Sequence, residues 1–509
     1  MAGNKFSTKS VPVNVKKLSG GINTTAGPLG LAENEFSSLL NIDFDKFGSF
    51  AKRNGYTALN TTAYNSGAQW TGLKWFELAS GTRYLVGTCG NRITKMDDLD
   101  GTWDDITGAL AITPGNLTSF AVFRNTLLGT NRVDLPFKWT GTGNCSQMTV
   151  PTGLTTASCV EVFSSYTFLG NVAVSGTAYK SRVYWSALDS ITSWDSADFN
   201  DVSRDDGQTI VAIKTLADRL VIFKERSIYL AFFTGDADFP FTFQKSGSHV
   251  GCAAQFSIQE TENGLVFLSS DGIYFFDGNN SYKISDRINA TLQGYNSLKF
   301  SQACSVVQNS KNRYWLSLPG ASSNTNNSVI TWDSFNNALS IYDGIAISCM
   351  AIVYANGSDE RPYFGDYSGF VYRGDTGLDD YPLNVKTAID AYAYTHWMDF
   401  DDLVDQKGVP NVYIYYSIEA GTLTFSYSYD FDESNVQYST TFSMNSSTSL
   451  YDLATYNSTA TYASTGGRFT RRDLTGRGRV VRFRFLNNSL SETFRIDGFG
   501  AFGHLQTNV

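Results

Sequence analysis

The chain has 509 residues, of which 17% are charged and 14% aromatic, with 45 Gly, and this length exceeds one ordinary core. A net charge of −9 and an isoelectric point near 5.0 argue against a protein that grips DNA by neutralising its phosphates. No run approaches the roughly 18 apolar residues of a membrane helix, and the basic, polar start has no signal-peptide core, so synthesis and folding in a cytoplasm are expected.

Residues 1–17 are small, polar and basic, without a period, and read as a flexible or partner-ordered arm. A motif segment follows over 18–69. Within it, residues 33–40 can make two helical turns with Phe36, Leu39 and Leu40 on one face. Residues 41–44 and 49–53 alternate as a hairpin about the turn at 45–48, and Asn54-Gly55 signals a second turn.

Residues 70–381 repeat one design. The clearest copy lies at 263–285, where an apolar strand turns at Ser270-Asp271-Gly272 into Ile273 to Phe276, then turns again at 277–280 into a third strand. Similar hairpins run over 83–96, 220–233 and 361–372, with looser copies over 127–140, 168–185 and 314–332. Their spacing of roughly 40 to 50 residues is the period of propeller blades, so the fold class is all-β, a propeller of about seven blades (six to eight fit the spacing). A strand from 51 to 58 could complete the last blade and close the ring. From 382 to 509 the strands lengthen and alternate (385–400, 411–418, 422–429, 438–444, 479–486, 493–502), as in an antiparallel β-sandwich with one wet face. Arg482 and Arg484 fall on one face of theirs and the aromatics on the other. The polar stretch 445–475 reads as a long loop or contact arm.

The six Cys include no Cys-x-x-Cys, and Cys159, Cys252, Cys304 and Cys349 each sit near the start of a repeat, where inner strands crowd a propeller axis. They read as reduced packing residues. His249, His396 and His504 have no triad or metal partner at a recognisable spacing, and no catalytic or nucleotide-binding motif occurs. Asp236/Asp238, Asp399/Asp401/Asp402 and Asp430/Asp432 are carboxylate groups of the kind glycosidases pair, yet all fall at turns, where Asp is favoured for local hydrogen bonds. Neither catalysis, a cofactor nor a metal is expected. Trp139, Trp185, Trp315 and Trp332 read as blade packing. Exposed Tyr413, Tyr415, Tyr427 and Tyr429 suit contact with a protein neighbour, or less readily a sugar.

The segment Gly20-Gly21-Ile22-Asn23, Leu31, Glu35, Leu39-Leu40-Asn41-Ile42-Asp43-Phe44-Asp45, Gly48 and Lys52-Arg53-Asn54-Gly55-Tyr56 resembles the start of bacteriophage tail nozzle, or tail tubular protein B-like, and tail-accessory stabilisation proteins. The resemblance implies a non-enzymatic virion protein of the tail, a propeller assembled as a ring, by resemblance a hexamer. Such a ring extends the DNA channel below portal and adaptor. Genomic DNA would pass without sequence-specific binding, and adjoining tail proteins such as adaptor and fibres would be partners. Phe36, Leu39, Phe44, Phe50, Arg53 and Tyr56 are the candidate contact residues here, with the four tyrosines above in the sandwich. The alternatives are a receptor- or glycan-binding tail component and, last, a propeller glycoside hydrolase.

Overall fold

The structure is a computed structural model that describes residues 10–417, 419–432, 438–444 and 468–506. Seven four-stranded antiparallel sheets form the blades of a β-propeller. Their first, innermost strands are Trp70–Glu77, Ser119–Phe123, Leu154–Phe163, Ile210–Leu216, Gln259–Thr261, Cys304–Gln308 and Cys349–Ala355, which define blades 1 to 7. The seven hairpins legible in the sequence are the second and third strands of these blades. In blade 5, Gly264–Ser269 pairs with Gly272–Phe276, and the next turn is fixed by the Asp277 carboxylate, which accepts from the Asn279 and Asn280 amides at 2.8 and 2.7 Å.

The ring closes on itself. The fourth strand of blade 7 is Thr57–Ala58, paired with Val371–Arg373, so the segment before blade 1 completes the last blade. Asn60 reinforces this closure: its side chain donates to the Gly369 carbonyl at 3.0 Å and accepts from the Val371 amide at 2.9 Å.

The second unit is a sandwich of a five-stranded and a seven-stranded sheet, and both ends of the chain build it. In the first sheet Phe36–Leu40 pairs with Ala391–Thr395, followed by Val481–Asn487, Thr422–Tyr429 and Tyr438–Ser443. In the second, Arg495–Gln506 is flanked by Phe50–Lys52, with Ile42–Phe44 beyond it, and by Asn411–Tyr416, with Arg468–Asp473 beyond that. Ser10–Val15 and Gln406–Gly408 also pair with Arg495–Gln506. Between the sheets Phe50, Phe485 and Phe499 meet edge-on or tilted. Phe483 and Phe485 face this core, while Arg482 and Arg484 point the other way and lie over Tyr394.

Three expectations need correction. Residues 36–40 are a strand, not a helix. A β-bulge between Phe36 and Ser38 puts the inward positions Phe36 and Leu39 three residues apart, which imitates a helical face. The arm is not free over its second half, because Val11, Val13 and Val15 alternate and pack on the sandwich core. The polar stretch 445–475 ends in the strand Arg468–Asp473, while residues 1–9 and 445–467 lie outside the described residues.

The sandwich core runs without a break into blades 5 and 6, where Leu268, Ile273, Leu316 and Leu339 share one cluster with Phe36, Phe50 and Phe485. Backbones meet there too: the Ile22 and Asn41 amides donate to the Leu339 and Ile341 carbonyls at 2.9 and 2.8 Å. Gly21, at φ +78°, is required at this approach, since a Cβ would stand 2.6 Å from the Leu339 nitrogen.

Candidate functional site

The motif residues converge on the joint between sandwich and propeller. Arg53 leaves the last N-terminal sandwich strand and is 2% exposed. Its guanidinium donates to both carboxylate oxygens of Asp380 at 2.8 and 2.7 Å, to the Asn41 side chain at 2.8 Å and to the Asp343 carbonyl at 3.2 Å. Asn41 in turn donates to the Asp343 carboxylate at 2.6 Å and the Asp390 carbonyl at 2.8 Å. A planar, five-donor cation is the side chain that can satisfy such a fork while buried. Asp43 accepts from Arg313 of blade 6 at 2.9 Å and from the Tyr342 hydroxyl. Gly55 has no room for a side chain, because a Cβ would lie 1.8 Å from the Asp379 carbonyl oxygen. Lys52 donates to Asn487 at 2.8 Å, and burial pushes its ammonium down to about 8.

This geometry relocates most of the candidate contact residues. Phe36, Leu39, Phe44, Phe50, Arg53 and Tyr56 are all buried, as are Tyr427 and Tyr429. They are packing and joint residues within one chain. Tyr427 and Tyr429 point inward because, with Phe425, they lie on the core side of their strand or against its end. Only Tyr413 and Tyr415 reach the outer face, where both lie beside Phe469 at ring distances of 6.2 and 5.9 Å. Gly500 and Gly498 stand opposite them on the central strand. Tyr415 is 49% and Phe469 61% exposed, so this is an open aromatic ladder on the outer sheet of the sandwich.

The propeller axis holds a cavity of about 340 Å³, walled by the inner strands of all seven blades. Gln255 crosses from the approach to blade 5 to the Ser158 carbonyl of blade 3 at 3.1 Å. Gly72 and Ala212 line the wall, where a Cβ on Gly72 would press on Phe120 at 2.9 Å. Two cations, Lys74 and Lys214, line the same space, and Glu161 lies 3.8 Å from Lys214. Sequence reasoning misses both cations, although each interrupts an apolar run of its inner strand, LKW and AIKTL.

The carboxylate groups serve turns. Asp236 accepts from the Asp238 amide at 2.8 Å, Asp399 from Asp401 at 3.1 Å, and Asp430 from Arg479 at 2.6 Å. Among the described residues no three His, Cys, Asp or Glu side chains gather as a metal site. All six Cys are buried and unpaired; burial pushes Cys89, Cys145, Cys159, Cys252 and Cys349 up to about 12 and raises Cys304 well above its ordinary value, so they are thiols at neutral pH.

Residues 50–335, more than half of the chain, match the family described as phage stabilisation, bacteriophage P22 Gp10, beta-propeller. The chain belongs to this family. It is a phage structural propeller, and the matched span takes in Arg53, the closing strand and blades 1 to 5 with most of blade 6. No curated protein sequence matches it. Solved structures similar to the chain include a computationally designed Ika8 protein, at 12% identity over 63% of this chain and 99% of that one (TM-score 0.37). YCF48 bound to D1 peptide is similar at 12% identity over 67% and 98% (0.40). BamB from Moraxella catarrhalis is similar at 9% identity over 71% and 97% (0.38). No helix among the described residues is long and apolar enough to cross a membrane.

Proposed function

We propose that the chain is a ring-forming component of a phage tail, a nozzle subunit that extends the DNA ejection channel below portal and adaptor. The observation that carries this reading is membership of the P22 Gp10 stabilisation family, on a chain whose motif residues weld a sandwich to a propeller. The propeller's own axis is not the passage: a cavity of about 340 Å³ is the size of a small-molecule pocket, not of a duplex. The DNA path would therefore lie between copies, in a closed ring, by resemblance of six. The net charge of −9 suits a wall along which DNA slides without adhering. The aromatic ladder of Tyr413, Tyr415 and Phe469 is the contact face for a neighbouring tail protein, since large rigid rings with a polar tip give contact area at little entropic cost.

The test is electron microscopy of particles assembled with this gene disabled. Heads without a distal tail and with leaked genomes are expected. Complete, DNA-filled particles that fail to adsorb would instead make the protein a receptor binder, and fully infectious particles would remove it from the virion.

A further inference from the structure

The axial cavity is lined by two cations, of which one has no anionic partner among the described residues. Lys74 projects into it from blade 1 and has no hydrogen bond or ion pair among the described residues. Trp75, also in the wall, has a buried indole N–H with no acceptor. Lys214, on the inner strand of blade 4, lines the cavity and leans on Glu161 at 3.8 Å, a separation too long for a tight pair. Two ammonium groups thus face one carboxylate, which leaves one positive charge unmatched in a space whose wall mixes apolar side chains such as Phe256 and Val306 with neutral polar ones such as Thr118 and Gln255. Burial pushes the Lys74 ammonium below its ordinary range and repulsion from Lys214 adds to this, with Glu161 opposing. An isolated cation in such a wall is costly unless an anion joins it.

We propose that this cavity is a binding site for a small oxyanion of the phosphate or polycarboxylate class, with Lys74 as its principal counter-ion and Lys214 at the mouth. The volume of about 340 Å³ admits such an ion with its water and excludes a nucleic-acid strand. A bound oxyanion would touch inner strands of blades 1 and 4, on opposite sides of the ring, and so brace the propeller across its axis. This role is independent of the tail position proposed above.

Isothermal titration of the purified full chain with inorganic phosphate, and separately with citrate, at constant ionic strength in chloride buffer tests it. Saturable binding at one site per chain is expected. Lys74→Met is expected to weaken it at least tenfold, and Lys214→Gln, at a half-exposed position where folding is not at stake, several-fold. Whichever of the two ions binds more tightly identifies the class. Absence of saturable binding by either ion, or wild-type affinity in Lys214→Gln together with wild-type affinity in any folded Lys74→Met, would overturn the proposal.

Discussion

Blade 5 draws all four of its strands from residues 259–283, whereas one sandwich sheet lays Phe36–Leu40 against Ala391–Thr395. Both regions are antiparallel β-structure with aromatic cores. They differ in how far apart in the chain their partners lie. The blades are chains of short-range hairpins whose register is set by local turns, and only the Thr57–Ala58 closure is long-range. The sandwich exists only when both ends of the chain have met, and its stability is tied to the joint at Arg53. Local pairing tolerates loss of one contact; a long-range assembly concentrates it on few side chains.

The sharpest way to break this contrast is Arg53→Ala. It strands the buried Asp380 carboxylate and the Asn41–Asp343 pair, and should cost about 3–5 kcal/mol, the usual penalty for removing one partner of a buried ion pair. Scanning calorimetry should then show the sandwich melting ahead of the propeller. A single transition shifted by only a degree or two would mean that the hydrophobic continuity with blades 5 and 6 holds the units together unaided.

Within the propeller the comparable test is Lys224→Met. The Lys224 ammonium is fully buried and donates to Asp206 at 2.6 and 2.8 Å and to the Val202 and Ser203 carbonyls, stapling the outer loop of blade 3 to blade 4. Its loss should cost about 2–4 kcal/mol by leaving those acceptors unmatched. The cost should fall on the propeller transition alone, read in the same calorimeter.

Lys52 sharpens the comparison by pH. Its ammonium is held at about 8 when folded against 10.5 when free, chiefly by burial. Between those values the unfolded chain binds the extra proton, so this group makes the fold more stable as pH rises from about 8 towards 10.5. Relative to wild type, Lys52→Met should therefore gain nothing from that rise, and the stability difference between the two proteins should move by about 1–2 kcal/mol in favour of wild type, less than the full displacement because solvent screens part of it. Urea melts at pH 7 and pH 10 read the difference; an unchanged difference would mean that Lys52 is solvated.

The same contrast explains what the sequence made legible. Turn chemistry such as Ser270-Asp271-Gly272 marks a hairpin wherever it stands, so seven blades could be counted from one chain. The bulge at Ser37 could not be seen, because two inward residues three apart are written alike by a helix and a bulged strand. Arg53 was readable as a motif residue but not as a joint, since its partners Asp343 and Asp380 lie some three hundred positions away with no local pattern of their own. The aromatic pattern Tyr-x-Tyr reads alike at Tyr413 with Tyr415 and at Tyr427 with Tyr429, and from the sequence both pairs are expected to be exposed. Which face met solvent depended on the opposing sheet, and the two pairs came out opposite.

That opposition supplies the smallest stability effect and the most direct probe of assembly. Tyr415 is half-exposed on the outer sheet and lies tilted beside the still more exposed Phe469 ring, so Tyr415→Ser combined with Phe469→Ser should change stability by no more than about 0.5 kcal/mol each. Tyr427→Ser, two residues from the same kind of pattern but buried and bonded to Thr475, should by contrast cost about 3 kcal/mol or more. If the ladder is a contact face, the outer double variant will be a well-folded chain that no longer enters particles, while the inner variant will fail earlier, as a poorly folded chain. Particles that incorporate the outer variant at wild-type level would leave the ladder as plain surface, and the contact would have to be sought on the blades.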